Sequence, residues 1–162
     1  MLGRLRPIWP LLTALASAGM LAAAHLYFQR FLGLQPCPLC LDQRNWHWAV
    51  LGASLVLLLL TRWKPGLLRW AIVLIGLVLF GSAAQAAYHV AVEQHWIIAQ
   101  CDVRSAAGQS LTFHPNAPLE VPQCDQIAWS LFGVSMAGYN AIVSLLLALA
   151  SFAVALAPER KP

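Results

Sequence analysis

Charge is what this sequence has least of. Asp, Glu, Lys and Arg make up 10% of its 162 residues, against 60% hydrophobic. A soluble domain carries about 25% charged residues. Too few are present to coat a water-facing surface, which excludes an ordinary soluble globular domain. The charges are also missing from long intervals: none lies between Arg6 and Arg30, between Arg44 and Arg62, between Arg69 and Glu93, or between Asp125 and Glu159. The chain has no G-x-G-x-x-G or other nucleotide fingerprint and no soluble segment to hold one, which argues against a nucleotide-dependent reaction. It has no internal repeat and no low-complexity tract.

What fills the uncharged intervals is apolar. A helix needs about 20 apolar residues to cross the hydrocarbon core, and each interval can hold one. Backbone groups in lipid must bond within their own segment, so the spans should be helical. The expected fold is an all-α membrane protein of one domain, 1–162: a four-transmembrane-helix antiparallel bundle. Its spans fall at about 8–28, 45–61, 69–92 and 130–157, with loops at about 29–44 and 93–129 on one side. The net charge of +4 does not indicate nucleic acid, because the basic residues cluster as a topology signal. Arg4 and Arg6 precede the first span; Arg62, Lys64 and Arg69 separate the second and third; Arg160 and Lys161 follow the fourth. The positive-inside rule then places both termini in the cytoplasm and both loops outside. Small residues around Ala14-Leu15-Ala16 resemble a signal-peptide cleavage site. The run stays apolar to Phe28, beyond the roughly 7–15 residues of a signal core, so an uncleaved first span is expected. Tryptophans near span ends, such as Trp9, Trp46, Trp63 and Trp129, read as an interfacial belt.

The four cysteines, Cys37, Cys40, Cys101 and Cys124, all fall in the expected outer loops. Disulfides persist outside a bacterial cytoplasmic membrane. Four cysteines allow three pairings; the one in which Cys37-Pro38-Leu39-Cys40 closes on itself leaves Cys101 with Cys124. A structural bridge suits Cys101–Cys124, which would tie down a loop containing Pro115, Pro118 and Pro122. It suits Cys37–Cys40 poorly, because closing so short a loop removes little unfolded-state entropy. Close pairs of this kind are typically redox-active. Cys40 sits just before a helix, where the dipole favours an anion, and Arg44 is one turn further on the same face. Arg44 would favour the thiolate; the alternative is an interfacial arginine snorkelling to headgroups. Electrons taken by such a disulfide need an acceptor that reaches it from the bilayer. A quinone fits: it takes two electrons, and its carbonyl oxygens accept bonds from a guanidinium. A non-enzymatic, metal-binding membrane protein is the alternative from another class. Zinc sites use closely spaced ligand pairs, and Cys101 and Cys124 have no adjacent ligand, so no metal is expected.

The run Cys37-Pro38-Leu39-Cys40-Leu41-Asp42-Gln43-Arg44 resembles the P-C-x-L-C-x-x-x-R signature of the disulfide bond formation protein B (DsbB) family. The resemblance covers the whole chain. It extends to Gln85-Ala86-Ala87-Tyr88-His89 and to Trp129-Ser130-Leu131-Phe132-Gly133-Val134-Ser135-Met136. It implies a thiol:quinone oxidoreductase of the bacterial inner membrane, with its cysteines on the periplasmic side. Such an enzyme reoxidises a periplasmic DsbA-like dithiol oxidase and passes two electrons to ubiquinone or menaquinone. By position, Cys101 and Cys124 would meet the client. Cys37 and Cys40 would meet the quinone, with Cys40 as the thiolate adjoining the ring. Arg44 resembles the family's quinone-site arginine, Met136 a residue near that site, and His89, on one helical face with Gln85, would approach the quinone. Ala137-Gly138-Tyr139 stands where M-P-x-W is common, which bears on pocket shape and quinone preference. A dedicated paralogue with another thioredoxin-like client, or a protein resembling vitamin-K-epoxide reductase, would share this chemistry.

Overall fold

The computed structural model describes residues 2–98 and 123–158. Cys101, and with it the expected Cys101–Cys124 pairing, lies outside the described residues. Four helices dominate: α1 (Trp9–Ala22), α2 (Pro38–Trp63), α3 (Leu68–Glu93) and α4 (Met136–Leu156). A 3-10 segment, Leu2–Ile8, leads into α1, and a π-helical segment, Ala23–Phe31, continues it. Each of the four helical rods is long and apolar enough to cross a membrane. The fold is the expected all-α, four-helix membrane bundle.

Local chemistry sets the helix ends. Pro38 opens α2 at a position where a missing N–H costs nothing, and Cys37 caps it: its sulfur accepts the Cys40 N–H at 3.2 Å. Cys40 and Arg44 therefore stand on the helix itself, which begins ahead of the expected span. Pro65 and Gly66 make the turn between α2 and α3. Ser135 caps α4, accepting the Gly138 N–H at 3.1 Å. Residues 130–135, read as the start of a span, instead form a two-stranded hairpin, β1 (Ser130–Leu131) and β2 (Val134–Ser135), with Leu131 opposite Val134. Its two-residue turn holds Phe132 at φ 50° and Gly133 at φ 79°. That is the type I′ geometry favoured in tight hairpins, where glycine relieves the strain.

Helices in lipid gain little from burying leucine against leucine; close packing and polar pairs hold them together. Both devices are present. α3 packs most extensively against α4, followed by α1 against α2 and α2 against α3. Gly76 and Gly81 let neighbours approach: a Cβ there would lie 2.9 Å from the Phe152 ring and 2.7 Å from the Trp46 ring. Buried polar pairs bridge the helices. Thr13 meets Ser54 at 3.0 Å between α1 and α2. Ser82 meets Ser144 at 3.2 Å between α3 and α4. Trp9 Nε1 donates to Ser151 Oγ at 2.9 Å between α1 and α4. Between them pack Val50, Ile75, Leu79 and Ala148. Large apolar side chains such as Leu59, Leu77, Leu146 and Leu149 point outward, as a lipid-facing surface requires.

Arg6 has a structural task beyond its charge. It is buried, and it donates to the Val154 and Ala155 carbonyls at 3.1 Å each and to the Ala157 carbonyl. These belong to the C-terminal turn of α4, whose carbonyls have no partner within the helix and whose dipole favours a cation. Hydrogen bonds to a charged group contribute about 1.5–3 kcal/mol. Arg6→Ala is therefore expected to lower the thermal midpoint of the detergent-solubilised protein. Arg6→Lys, which keeps the charge and loses the planar fork, should fall between. An unchanged midpoint in Arg6→Ala would show that the cap adds no stability.

Candidate functional site

The site starts from a single helical turn. With Cys37 extended at the cap and Cys40 in the first turn of α2, the two Cα atoms lie 5.1 Å apart and the sulfurs form a disulfide. Cys37 is buried and Cys40 is half-buried. Val92 of α3 and Cys124 pack with Cys37 in one buried cluster, flanked by Leu39 and Cys40. A cysteine more than eighty residues away in sequence is thus seated against the C-x-x-C pair.

From Cys40 the inner face of α2 continues through Gln43, Arg44 and His47, at the spacing of one helical stripe. All four border a cavity of about 390 Å³. Its other walls are mostly apolar: Met20 and Phe28 from the α1 rod, Leu34, Trp129, Leu131 of the hairpin and Met136 of α4. Arg44 reaches across to the α1 rod. Its Nη1 donates to Gln29 Oε1 at 2.6 Å and its Nη2 to the Ala24 carbonyl at 3.2 Å. Both partners lie in the π-helical segment, a form that recurs at functional sites. A guanidinium carries five N–H donors, so these bonds orient Arg44 and leave donors for a ligand.

Behind the disulfide lies a buried polar network. Gln43 Nε2 stands 2.6 Å from His89 Nδ1, and Asn140 Nδ2 donates to Gln43 Oε1 at 2.7 Å. Asn140 Oδ1 meets His47 Nε2 at 2.7 Å and accepts from Ser144 at 3.0 Å. His89 Nε2 lies 3.7 Å from Cys37 Sγ and 4.0 Å from Glu93 Oε1. The Ser135 hydroxyl, which caps α4, donates to the Glu93 carboxylate. Three helices are thereby tied together around the sulfur.

Cys37, Cys40, Arg44, His89 and Met136, all singled out in the sequence, border this one cavity. Cys124 joins them through its contact with Cys37, and Cys101 lies outside the described residues. Sequence reasoning missed Gln43, His47, Glu93 and Asn140. Gln43 and His47 had a signal, since they follow Cys40 at helical spacing. Nothing in the sequence tied Asn140 to them. Ala137-Gly138-Tyr139 also finds its reason here. A Cβ on Gly138 would lie 2.7 Å from Val134 Cγ1, and the Tyr139 hydroxyl donates to the Leu131 carbonyl at 3.0 Å. The motif holds the hairpin against α4 and so shapes the cavity wall. The ligand atoms of Cys37, Cys40 and His89 lie within 4.8 Å of one another. The metal-binding form of a cysteine is the thiolate, so that cluster offers two thiolates only after the disulfide is reduced.

Four apolar helices with a C-x-x-C disulfide at the wall of an apolar cavity define a multi-pass membrane protein of disulfide chemistry. The family model described as disulfide bond formation protein DsbB matches residues 6–154, and the chain belongs to that family. The disulfide bond formation protein B of Albidiferax ferrireducens is 32% identical over 153 residues, covering 87% of this chain and 82% of the relative. That of Marinobacter nauticus is 34% identical over 153 residues, covering 87% of each. A protein of Shewanella oneidensis, provisionally named protein-disulfide oxidoreductase DsbI, is 28% identical over 175 residues, covering 94% of this chain and 78% of the relative. No solved structure matches the chain.

Proposed function

We propose that this DsbB-family protein is a thiol:quinone oxidoreductase of the bacterial inner membrane that reoxidises a periplasmic DsbA-like dithiol oxidase. The observation that carries the reading is the Cys37–Cys40 disulfide bordering an apolar cavity that also holds the Arg44 guanidinium. The cavity suits a quinone: apolar walls for the ring and tail, and charged N–H donors for a carbonyl oxygen. Bound there, ubiquinone or menaquinone would supply a two-electron acceptor. The remaining chemistry belongs to the chain. A client thiolate attacks Cys101–Cys124, and the client's second thiol displaces the mixed disulfide, leaving the client oxidised and the pair reduced. The Cys124 thiolate, seated beside Cys37, then attacks the Cys37 sulfur. That exchange breaks Cys37–Cys40 and releases Cys40 as a thiolate at the cavity wall, where the dipole of α2 and Arg44 favour the anion. Cys101 then displaces Cys37 from Cys124, re-forming Cys101–Cys124 and leaving Cys37 and Cys40 reduced. His89 and Met136 complete the wall. The direction agrees with potentials: a DsbA-type oxidase stands near −120 mV, so its reoxidant must draw on a still stronger oxidant, as a respiratory quinone is. The DsbI-type relative supports a second reading, a paralogue with the same chemistry and another thioredoxin-like client.

The positive-inside count supports cytoplasmic termini and cysteines on the outer side. A membrane-impermeant maleimide added to intact spheroplasts after mild reduction should therefore label the cysteines; protection until lysis would reverse the topology. Anaerobic mixing of the purified protein with reduced DsbA and ubiquinone should bleach the quinone absorbance in step with DsbA oxidation. No bleaching with either ubiquinone or menaquinone would sink the quinone reading. Oxidation of a different thioredoxin-like protein in place of DsbA would select the paralogue. Arg44→Ala should raise the apparent KM for quinone by roughly ten- to a hundredfold, since a charge-assisted bond of about 1.5–3 kcal/mol is lost and about 1.4 kcal/mol is one decade. The KM for DsbA should stay close to wild type, and Arg44→Lys should fall between. An unchanged quinone dependence would return Arg44 to a headgroup contact.

A further inference from the structure

The buried network behind the disulfide has a direction, and that direction decides where His89 carries its proton. Asn140 Oδ1 accepts from Ser144 at 3.0 Å and faces His47 Nε2 at 2.7 Å. The Asn140 Nδ2 is thereby turned to Gln43, where it donates to Oε1 at 2.7 Å. With its oxygen engaged, Gln43 presents its Nε2 to His89 Nδ1 at 2.6 Å. An amide nitrogen only donates, so Nδ1 is the bare nitrogen of His89 and the proton sits on Nε2. Flipping both amides would reverse the chain and move the proton of His47 onto its Nδ1. That atom is buried without a partner among the described residues, and a buried orphan N–H is rarer in native proteins than a buried orphan acceptor. The unflipped orientation of both amides is the one the network supports.

His89 Nε2 then faces Cys37 Sγ at 3.7 Å and Glu93 Oε1 at 4.0 Å, and the ring also hydrogen-bonds the Cys124 backbone. We propose that Gln43 and Asn140 are positioning residues that hold His89 as an N–H donor to Cys37, keeping this sulfur a thiolate once the disulfide is reduced. The role in turnover rests on the quinone reading above; the hydrogen-bond direction does not. In turnover the Cys37–Cys40 bond re-forms as two electrons leave the two sulfurs for the quinone-class acceptor, whose oxygens take up two protons, equal in number to those the client dithiol gave up. The titratable groups around Cys37 and His89 are Cys40, Arg44 and His47 on α2, Glu93 on α3, Tyr139 on α4, and Cys124. Neither Gln43 nor Asn140 titrates. Asn140 reaches His89 through Gln43, so its replacement separates tautomer control from direct contact with the sulfur.

The test uses the full-length protein in detergent, free of quinone and kept reduced. Two readouts are taken. The imidazole 15N shifts of His89, assigned by loss of its signals in His89→Gln, should show the proton on Nε2 in the wild type. In a Cys40→Ser background, alkylation of Cys37 by iodoacetamide is followed against pH by peptide mass. Gln43→Met and Asn140→Leu should each move the half-maximal pH upward by about one unit, close to a tenfold slower reaction on the acid side, with Gln43→Met the larger. A wild-type proton on Nδ1, or unchanged alkylation profiles in both variants, would overturn the proposal. If neither variant folds, the wild-type 15N shifts decide it alone. The expected shifts and profiles together with a wild-type protein that reduces no quinone would remove the function reading and leave this inference standing.

Discussion

A polar group inside a bilayer has no water to bond with, so leaving one without a partner within the protein is costly. Most of this architecture follows from that constraint. Apolar side chains do not discriminate between a neighbouring helix and a lipid tail. What distinguishes the inside of the bundle is a set of small and polar side chains that satisfy one another: Thr13 with Ser54, Ser82 with Ser144, Trp9 with Ser151. Arg6 obeys the same rule at the end of α4, where its guanidinium answers carbonyls that the helix cannot.

The site is the densest part of that network. Ser144, Asn140, His47, Gln43 and His89 form a continuous hydrogen-bonded path through α2, α3 and α4, and the Glu93–Ser135 pair stands beside it, 4.0 Å from His89. In a low-dielectric interior such a path is rigid when it is fully satisfied and costly when it is not. It also serves the chemistry. The residues that fix the helices against one another are the same ones that aim an N–H at the Cys37 sulfur. The α1 rod contributes in a parallel way: its π-helical segment supplies the carbonyl and the Gln29 side chain that orient Arg44. The redox pair and Arg44 stand on α2 and His89 on α3, Arg44 is oriented by the α1 rod, and the cavity is the space those constraints leave.

How much of this was readable beforehand depends on how local each feature is. Four spans could be counted from the gaps between charges. The Cys37–Cys40 pair and Arg44 could be placed together because a few residues of helix fix their spacing whatever the rest of the chain does. The start of α4 was misplaced. Residues 130–135 carry no charge and read as membrane, yet Phe132 and Gly133 turn them into a hairpin held by Tyr139. An uncharged run excludes little; turn geometry decides the rest. Arg6 was read as a topology signal and is also a helix cap, because its carbonyl partners lie about 150 residues away.

The sequence by itself determined the class of protein, the number of helices and the nearest-neighbour chemistry of the C-x-x-C turn, since these rest on composition and on contacts within one or two helical turns. It could not pair Gln43 with Asn140, bring Cys124 against Cys37, or set the partners that each nitrogen of His89 faces. Those depend on the relative rotation of separate helices, and in lipid that rotation is set by a few buried polar contacts with no periodic signature. Only the tertiary structure decided them.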